Sequence, residues 1–142
     1  MVLNPLVIYQ ITCQPQLTPA QHYAVHPHHR NQTPQKSQWT VPELVEFKVF
    51  VSGAEITPGG YANTEIFGLS IADGRPSVLG LSEAGESVVL AKYTRDQVEW
   101  HGYPYSHTRP KQSVPRSILE CWRVTGLISK PIYSRILRKQ TC

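Results

Sequence analysis

Three patterns of apolar and polar residues follow one another along the chain. Residues 6–12 (LVIYQIT) are β-branched and aromatic enough for a strand, and residues 1–13 are read as an N-terminal strand segment. Residues 14–41 then lose apolar periodicity. Pro, Gln, His and Thr dominate there, the composition of a linker or extended arm. From 43 to 103 short alternating runs return. LVEFKVFV sets Val45, Phe47, Val49 and Val51 against Glu46 and Lys48. EIFGLSIA, SVLGLS, ESVVLAKY and QVEWHGY follow, parted by reversal signals such as Gly59-Gly60 and Asp73-Gly74. Gly68 and Gly80 fall inside such runs and predict bulges or close backbone approach. About five short strands at this spacing predict a single antiparallel sheet rather than alternating βαβ units.

Beyond the prolines the period becomes helical. In SVPRSILECWRVTG, Ile118, Leu119, Cys121, Trp122 and Thr125 share one face, Ser117 and Glu120 form a capping-box pattern, and Gly126 is a natural stop. In LISKPIYSRILRKQ, Ser129 is an N-cap and Pro131 suits the first turn. Ile132, Tyr133, Ile136 and Leu137 gather opposite Arg135, Arg138 and Lys139. The expected fold is therefore α+β: residues 42–142 form one domain, a one-faced antiparallel sheet (43–103) with a basic helical hairpin (114–139) packed on it.

Charge sharpens this division. Residues 1–41 hold no acid and two bases, Arg30 and Lys36. Between 43 and 109 nine carboxylates face five bases, whereas from Lys111 onward seven bases face Glu120 alone. The net charge of +4 thus originates in the last thirty-odd residues, which predicts an anionic partner. Cys13, Cys121 and Cys142 are odd in number and lack CxxC spacing, which argues against a disulfide framework or a thiolate zinc site. No apolar run is long enough for a membrane span and no secretion signal is evident, so the expectation is a cytoplasmic chain with no membrane partner.

The segment TGLISKPIYSRILRK resembles the turn and second helix of helix-turn-helix DNA-binding domains, through Gly126, Leu127, Ser129, Ile132, Ser134, Arg135, Ile136 and Leu137. The resemblance covers about twenty residues and implies groove reading by the second helix. Ile128 departs from it, since one extra turn residue would rotate that helix by about 100°. Without groove reading, a basic hairpin still offers phosphate contacts. Arg109, Lys111, Arg116, Arg123, Lys130, Arg135, Arg138 and Lys139 are the expected contacts to nucleic acid or a nucleoprotein complex, with Tyr103, Tyr105 and Tyr133 as stacking platforms.

Two alternatives stand beside this reading. HGYPYSHTRPK places His101 and His107 near Tyr103, the residue types a metal-independent ribonuclease or toxin-type effector needs for proton transfer. Pro104 and Pro110, however, point to a stiff connector in which the strand ends near Tyr103, so the balance lies against an enzyme. The other alternative is a protein-interaction module, an inhibitor or assembly subunit, whose N-terminal strand and arm meet a partner. His22, His26, His28 and His29 have ligating groups, but Pro27 breaks their helix and no Cys or carboxylate completes a set, so neither a metal nor another cofactor is expected.

Overall fold

The computed structural model describes residues 8–10 and 20–142. The strands are β1 (Ile8–Gln10), β2 (His22–Ala24), β3 (Gln38–Trp39), β4 (Glu65–Leu69), β5 (Ile71–Ala72), β6 (Arg75–Pro76), β7 (Gly80–Leu81), β8 (Ser87–Val88), β9 (Leu90–Asp96) and β10 (Glu99–Tyr105). The helices are α1 (Glu43–Ile56), α2 (Arg116–Val124) and α3 (Lys130–Leu137). The chain is α+β, but not with one sheet. A five-stranded sheet runs β1-β2-β10-β9-β4, a three-stranded sheet runs β3-β7-β8, and β5 and β6 form a separate ribbon. The main sheet is mixed, because β2 lies parallel to β10.

The largest departure from the alternation pattern is α1, where residues 45–51 read as a strand. Its buried residues are Glu46, Val49, Phe50, Gly53 and Ala54, a series at helical spacing. The first member is a glutamate, so a pattern that sorts acids to the outside assigns this face wrongly. Glu43 and Glu46 in the first turn also favour a helix by complementing its dipole. Helix α1 packs Val49, Phe50 and Ala54 on Ile66, Ala91, Tyr93 and Trp100 of the main sheet. On the other face, Phe67, Leu69, Leu90 and Tyr105 pack on Leu119 and Trp122 of α2, on Ile128, and on Ile136 of α3. The sheet is therefore covered on both faces, not one. Gly68 lies at a close approach, since a Cβ there would come within 2.7 Å of Val49.

Residues 20–41, whose composition reads as an arm, enter the core. Tyr23, Ala24, Val25 and Trp39 are buried. The Trp39 indole Nε1 donates to the Gly102 carbonyl at 3.2 Å. Arg30 donates from Nε and Nη2 to Glu46 at 3.1 and 2.9 Å and from Nη1 to the Val41 carbonyl at 2.8 Å. The Tyr23 hydroxyl donates to the other Glu46 oxygen. Of the N-terminal strand segment, Ile8–Gln10 pairs antiparallel with β2 inside the main sheet. The rest of residues 1–13, Cys13 included, lies outside the described residues.

Strand β10 runs through Pro104, where the sequence pattern ends it near Tyr103. The reason is its outer edge: β2 pairs with Glu99 and Trp100, and beyond them no strand among the described residues pairs on that edge, so a proline is tolerated. At the helical hairpin the signals around the turn match the structure, but the capping box does not form: Pro115 is the N-cap of α2, without a side-chain cap, and Ser117 lies inside the helix. Gly126 has φ +81°, and the Gly126 and Leu127 amides donate to the Arg123 and Trp122 carbonyls, a Schellman ending for α2. Ser129 Oγ caps the Ile132 amide of α3. The inserted Ile128 is buried between the helices rather than lengthening an exposed turn.

Helix α3 ends the same way without a glycine. Lys139 has φ +59°, and the Lys139 and Gln140 amides donate to the Ile136 and Arg135 carbonyls. The Lys139 ammonium offsets that strain by donating to the carbonyls of Gln112, Arg109 and His107 at 2.6, 3.1 and 3.4 Å. Lys139→Ala should lower stability by about 2 kcal/mol, because three carbonyls lose a charged donor. Urea denaturation checks this, and an unchanged midpoint would count against the tether.

Candidate nucleic-acid interface and histidine cleft

The eight cations expected to meet phosphates divide into two groups. Three are engaged within the molecule. Arg109 pairs with Glu83 at 3.5 Å, Arg123 pairs with Glu120 at 2.9 Å, and Lys139 is turned inward on the carbonyls described above. The remaining five, Lys111, Arg116, Lys130, Arg135 and Arg138, are exposed and have no ion-pair partner among the described residues. At 100° per residue, Lys130, Arg138 and Arg135 fall within an arc of about 140° on α3, opposite the buried Ile136. Glu120, the lone acid after Arg109, is consumed locally. Arg123 and the Tyr133 hydroxyl donate to it, and these bonds hold its carboxyl below the usual range.

Sequence reasoning missed Arg75. It belongs to the β5–β6 ribbon, in a stretch where acids outnumber bases, yet it lines a hollow of about 250 Å³ together with Arg135, Pro131, Ile132 and Cys142. Two guanidinium groups thus border one concavity. The tyrosines serve this surface less well than expected. Tyr105 is buried in the hairpin core, Tyr103 faces a separate cleft, and the Tyr133 hydroxyl is bound to Glu120.

The proposed proton-transfer pair is not brought together. His107 is buried, and its Nε2 lies 2.7 Å from the Gln140 carbonyl, which makes it the N–H donor there. It borders a hollow of about 190 Å³ that also includes Cys142, whose Sγ is 3.9 Å from the ring. Burial pushes the Cys142 thiol up, so this contact is no activated thiolate. His101 instead borders a cleft of about 420 Å³ with His26, His28, His29, Gln35, Lys36, Ser37, Glu83 and Tyr103. The His101 ring stacks on His26 with centroids 4.6 Å apart, and Tyr103 stacks on His29 at 5.3 Å. His101 Nε2 lies 3.2 Å from the Thr94 hydroxyl, while Nδ1 is buried with no hydrogen-bond partner among the described residues. His22 is not part of this group and pairs with Glu99 at 3.1 Å. Among the described residues, no group of three or more His, Cys, Asp or Glu is placed to hold a metal ion. None of the helices in these residues is long and apolar enough to cross a membrane.

Titration of the buried groups gives a pH signature with two opposing parts. Burial drives the Glu46 carboxyl up from 4.5 to about 7, against the pull of Tyr23 and Arg30. Its contribution favours the folded state in full below pH 4.5 and is lost as pH rises through 7. Burial lowers the proton affinity of His29, His101 and His107, so their contribution is complete above 6.5 and is lost as pH falls. Glu46→Gln removes the first part. From pH 8 to pH 5 the variant should lose about 3 kcal/mol relative to the parent. Urea midpoints at pH 5, 6, 7 and 8 check this, and parallel curves would contradict it.

No protein family, no curated protein and no solved structure matches this chain.

Proposed function

We propose that this protein binds nucleic acid, alone or within a nucleoprotein complex, through the outer face of the α2–α3 hairpin. Lys111, Arg116, Lys130, Arg135 and Arg138 contact phosphates, and Arg75 extends the surface beside Arg135. The observation that carries this reading is the set of exposed hairpin cations without ion-pair partners among the described residues, in a stretch whose single acid is already bonded to Arg123 and Tyr133. Unpaired, solvated cations release the counterions of a phosphate backbone on contact, and that release needs no base-reading motif. The hairpin also resembles a helix-turn-helix unit in order and capping. The buried Ile128 alters the path between its helices, so phosphate contact is favoured over groove reading.

Fluorescence anisotropy with a labelled 20-base-pair DNA duplex, its single strand and an RNA duplex tests the proposal. Saturable binding of at least one of these at low salt is the expected result, and no saturation with any of them would overturn it.

A further inference from the structure

The histidine cleft lies apart from the hairpin cations and shares no residue with them. One wall is the 3-10 turn Pro27–His29 and the loop that follows; the floor is the open face of β10 at His101 and Tyr103. His101 cannot itself reach a ligand, because Thr94 occupies one nitrogen and the other is buried. Its part is to seat the His26 ring stacked on it. His29 is no donor there either: Nδ1 lies 2.8 Å from the Ser37 carbonyl and carries the proton, so Nε2 of the neutral ring is an acceptor. That leaves His26 and His28, whose ring centroids are 6.2 Å apart, with Lys36 and Gln35 facing the same space.

The loop that presents these groups is held in an unfavourable backbone shape. Gln32 and Gln35 have φ of +60° and +65°, in the left-handed region. Such strain persists only where the surroundings fix it. Here Gln38 does so, accepting from the Gln32 amide at 2.8 Å and donating to the carbonyls of His28 and Lys36 at 2.8 and 3.3 Å. Lys36 is exposed and has no ion-pair partner among the described residues. The carboxylate facing the cleft, Glu83, pairs with Arg109. The cleft is thus rich in N–H donors, its acid is balanced, and its volume lies in the range of small-molecule sites.

We propose that this cleft binds a phosphate group, with the Lys36 ammonium, the His26 and His28 imidazoles and the Gln35 amide as donors. Tetrahedral oxyanions suit donors that converge from a ring pair, an ammonium and an amide, and charge assistance strengthens each bond. The site does not depend on the hairpin reading, since it shares no residue with that surface. The phosphate is either free, as in the inorganic ion, or part of a nucleotide chain.

The test follows the histidine ring Cε1–H resonances of the full chain at pH 6.5 and constant ionic strength. Inorganic phosphate should shift His26 and His28 saturably. Lys36→Gln should weaken that binding about tenfold, and the double variant Arg135→Gln, Arg138→Gln should leave it unchanged. Both substituted surfaces are solvent-exposed, so native amide dispersion is expected in all variants. A second arm replaces phosphate with a short oligonucleotide. Shifts at lower concentration assign the phosphate to a strand, and weaker ones assign it to the free ion. Non-saturating shifts, an unchanged response in Lys36→Gln, or loss of the response in the hairpin double variant would overturn the proposal.

Discussion

Arg135→Gln combined with Arg138→Gln should weaken nucleic-acid binding about 100-fold near 100 mM salt and reduce the salt slope by about two. Arg135 on α3 and Arg138 at its C-cap are exposed and have no ion-pair partner among the described residues, so their removal costs the fold little. The contrast is Arg123→Gln, which removes a cation already bonded to Glu120. If exposure and free charge decide affinity, that variant binds much more like the parent than the double variant does. Titration of a labelled duplex with the three proteins checks this. Equal losses from Arg123 and from the Arg135–Arg138 pair would place the contacts elsewhere.

The second large effect concerns the sheet. Gly102→Ala should destabilise the protein by about 3 kcal/mol, at the upper end for overpacking a core. Gly102 sits opposite Tyr93 in the β9–β10 ladder, and the Tyr93 ring lies where a Cβ would go, with the Tyr23 hydroxyl 3.0 Å from the same position. Tyr93 has nowhere to retreat: it is fully buried, and its hydroxyl donates to the Glu46 carbonyl at 2.9 Å. A displaced Tyr93 would disturb α1, β2 and the Glu46–Arg30 pair together. The variant's urea midpoint measures the cost, and a loss below 1 kcal/mol would show that the ring can move.

The hairpin was legible in the chain because its signals are local. The change to helical period, Gly126 at the end of α2 and Ser129 before α3 act within one turn, and all three appear in the structure. Strands β9 and β10 were legible for the same reason, through alternation along continuous runs. Helix α1 was not, because the residue that opens its buried face is Glu46, whose burial depends on Arg30 and Tyr23, sixteen and twenty-three positions away. The strands β2 and β3 are three and two residues long, too short for any period to register. Their order comes from Tyr23 and Trp39 packing on distant parts of the chain.

The candidate sites divide along the same line. The exposed hairpin cations follow from charge spacing on helices, which sequence displays directly. Which cations are engaged does not, because Glu83, Glu120 and the carbonyls under Lys139 are assigned by packing. The histidine cleft depends on a ring stack between His26 and His101, seventy-five positions apart, so proximity in sequence favoured His107 instead. Its buried setting against Gln140 becomes visible only when the C-terminal segment folds back.

The salt dependence of binding is the most direct test of the central claim. With about five phosphates neutralised by Lys111 and the hairpin, the plot of log K against log salt for a B-DNA duplex should have a slope of about −4 to −5. Affinity should then fall by roughly two to three orders of magnitude between 50 and 200 mM. A slope within one unit of zero would contradict the account, because it would mean that the exposed cations of α2 and α3 touch no phosphate.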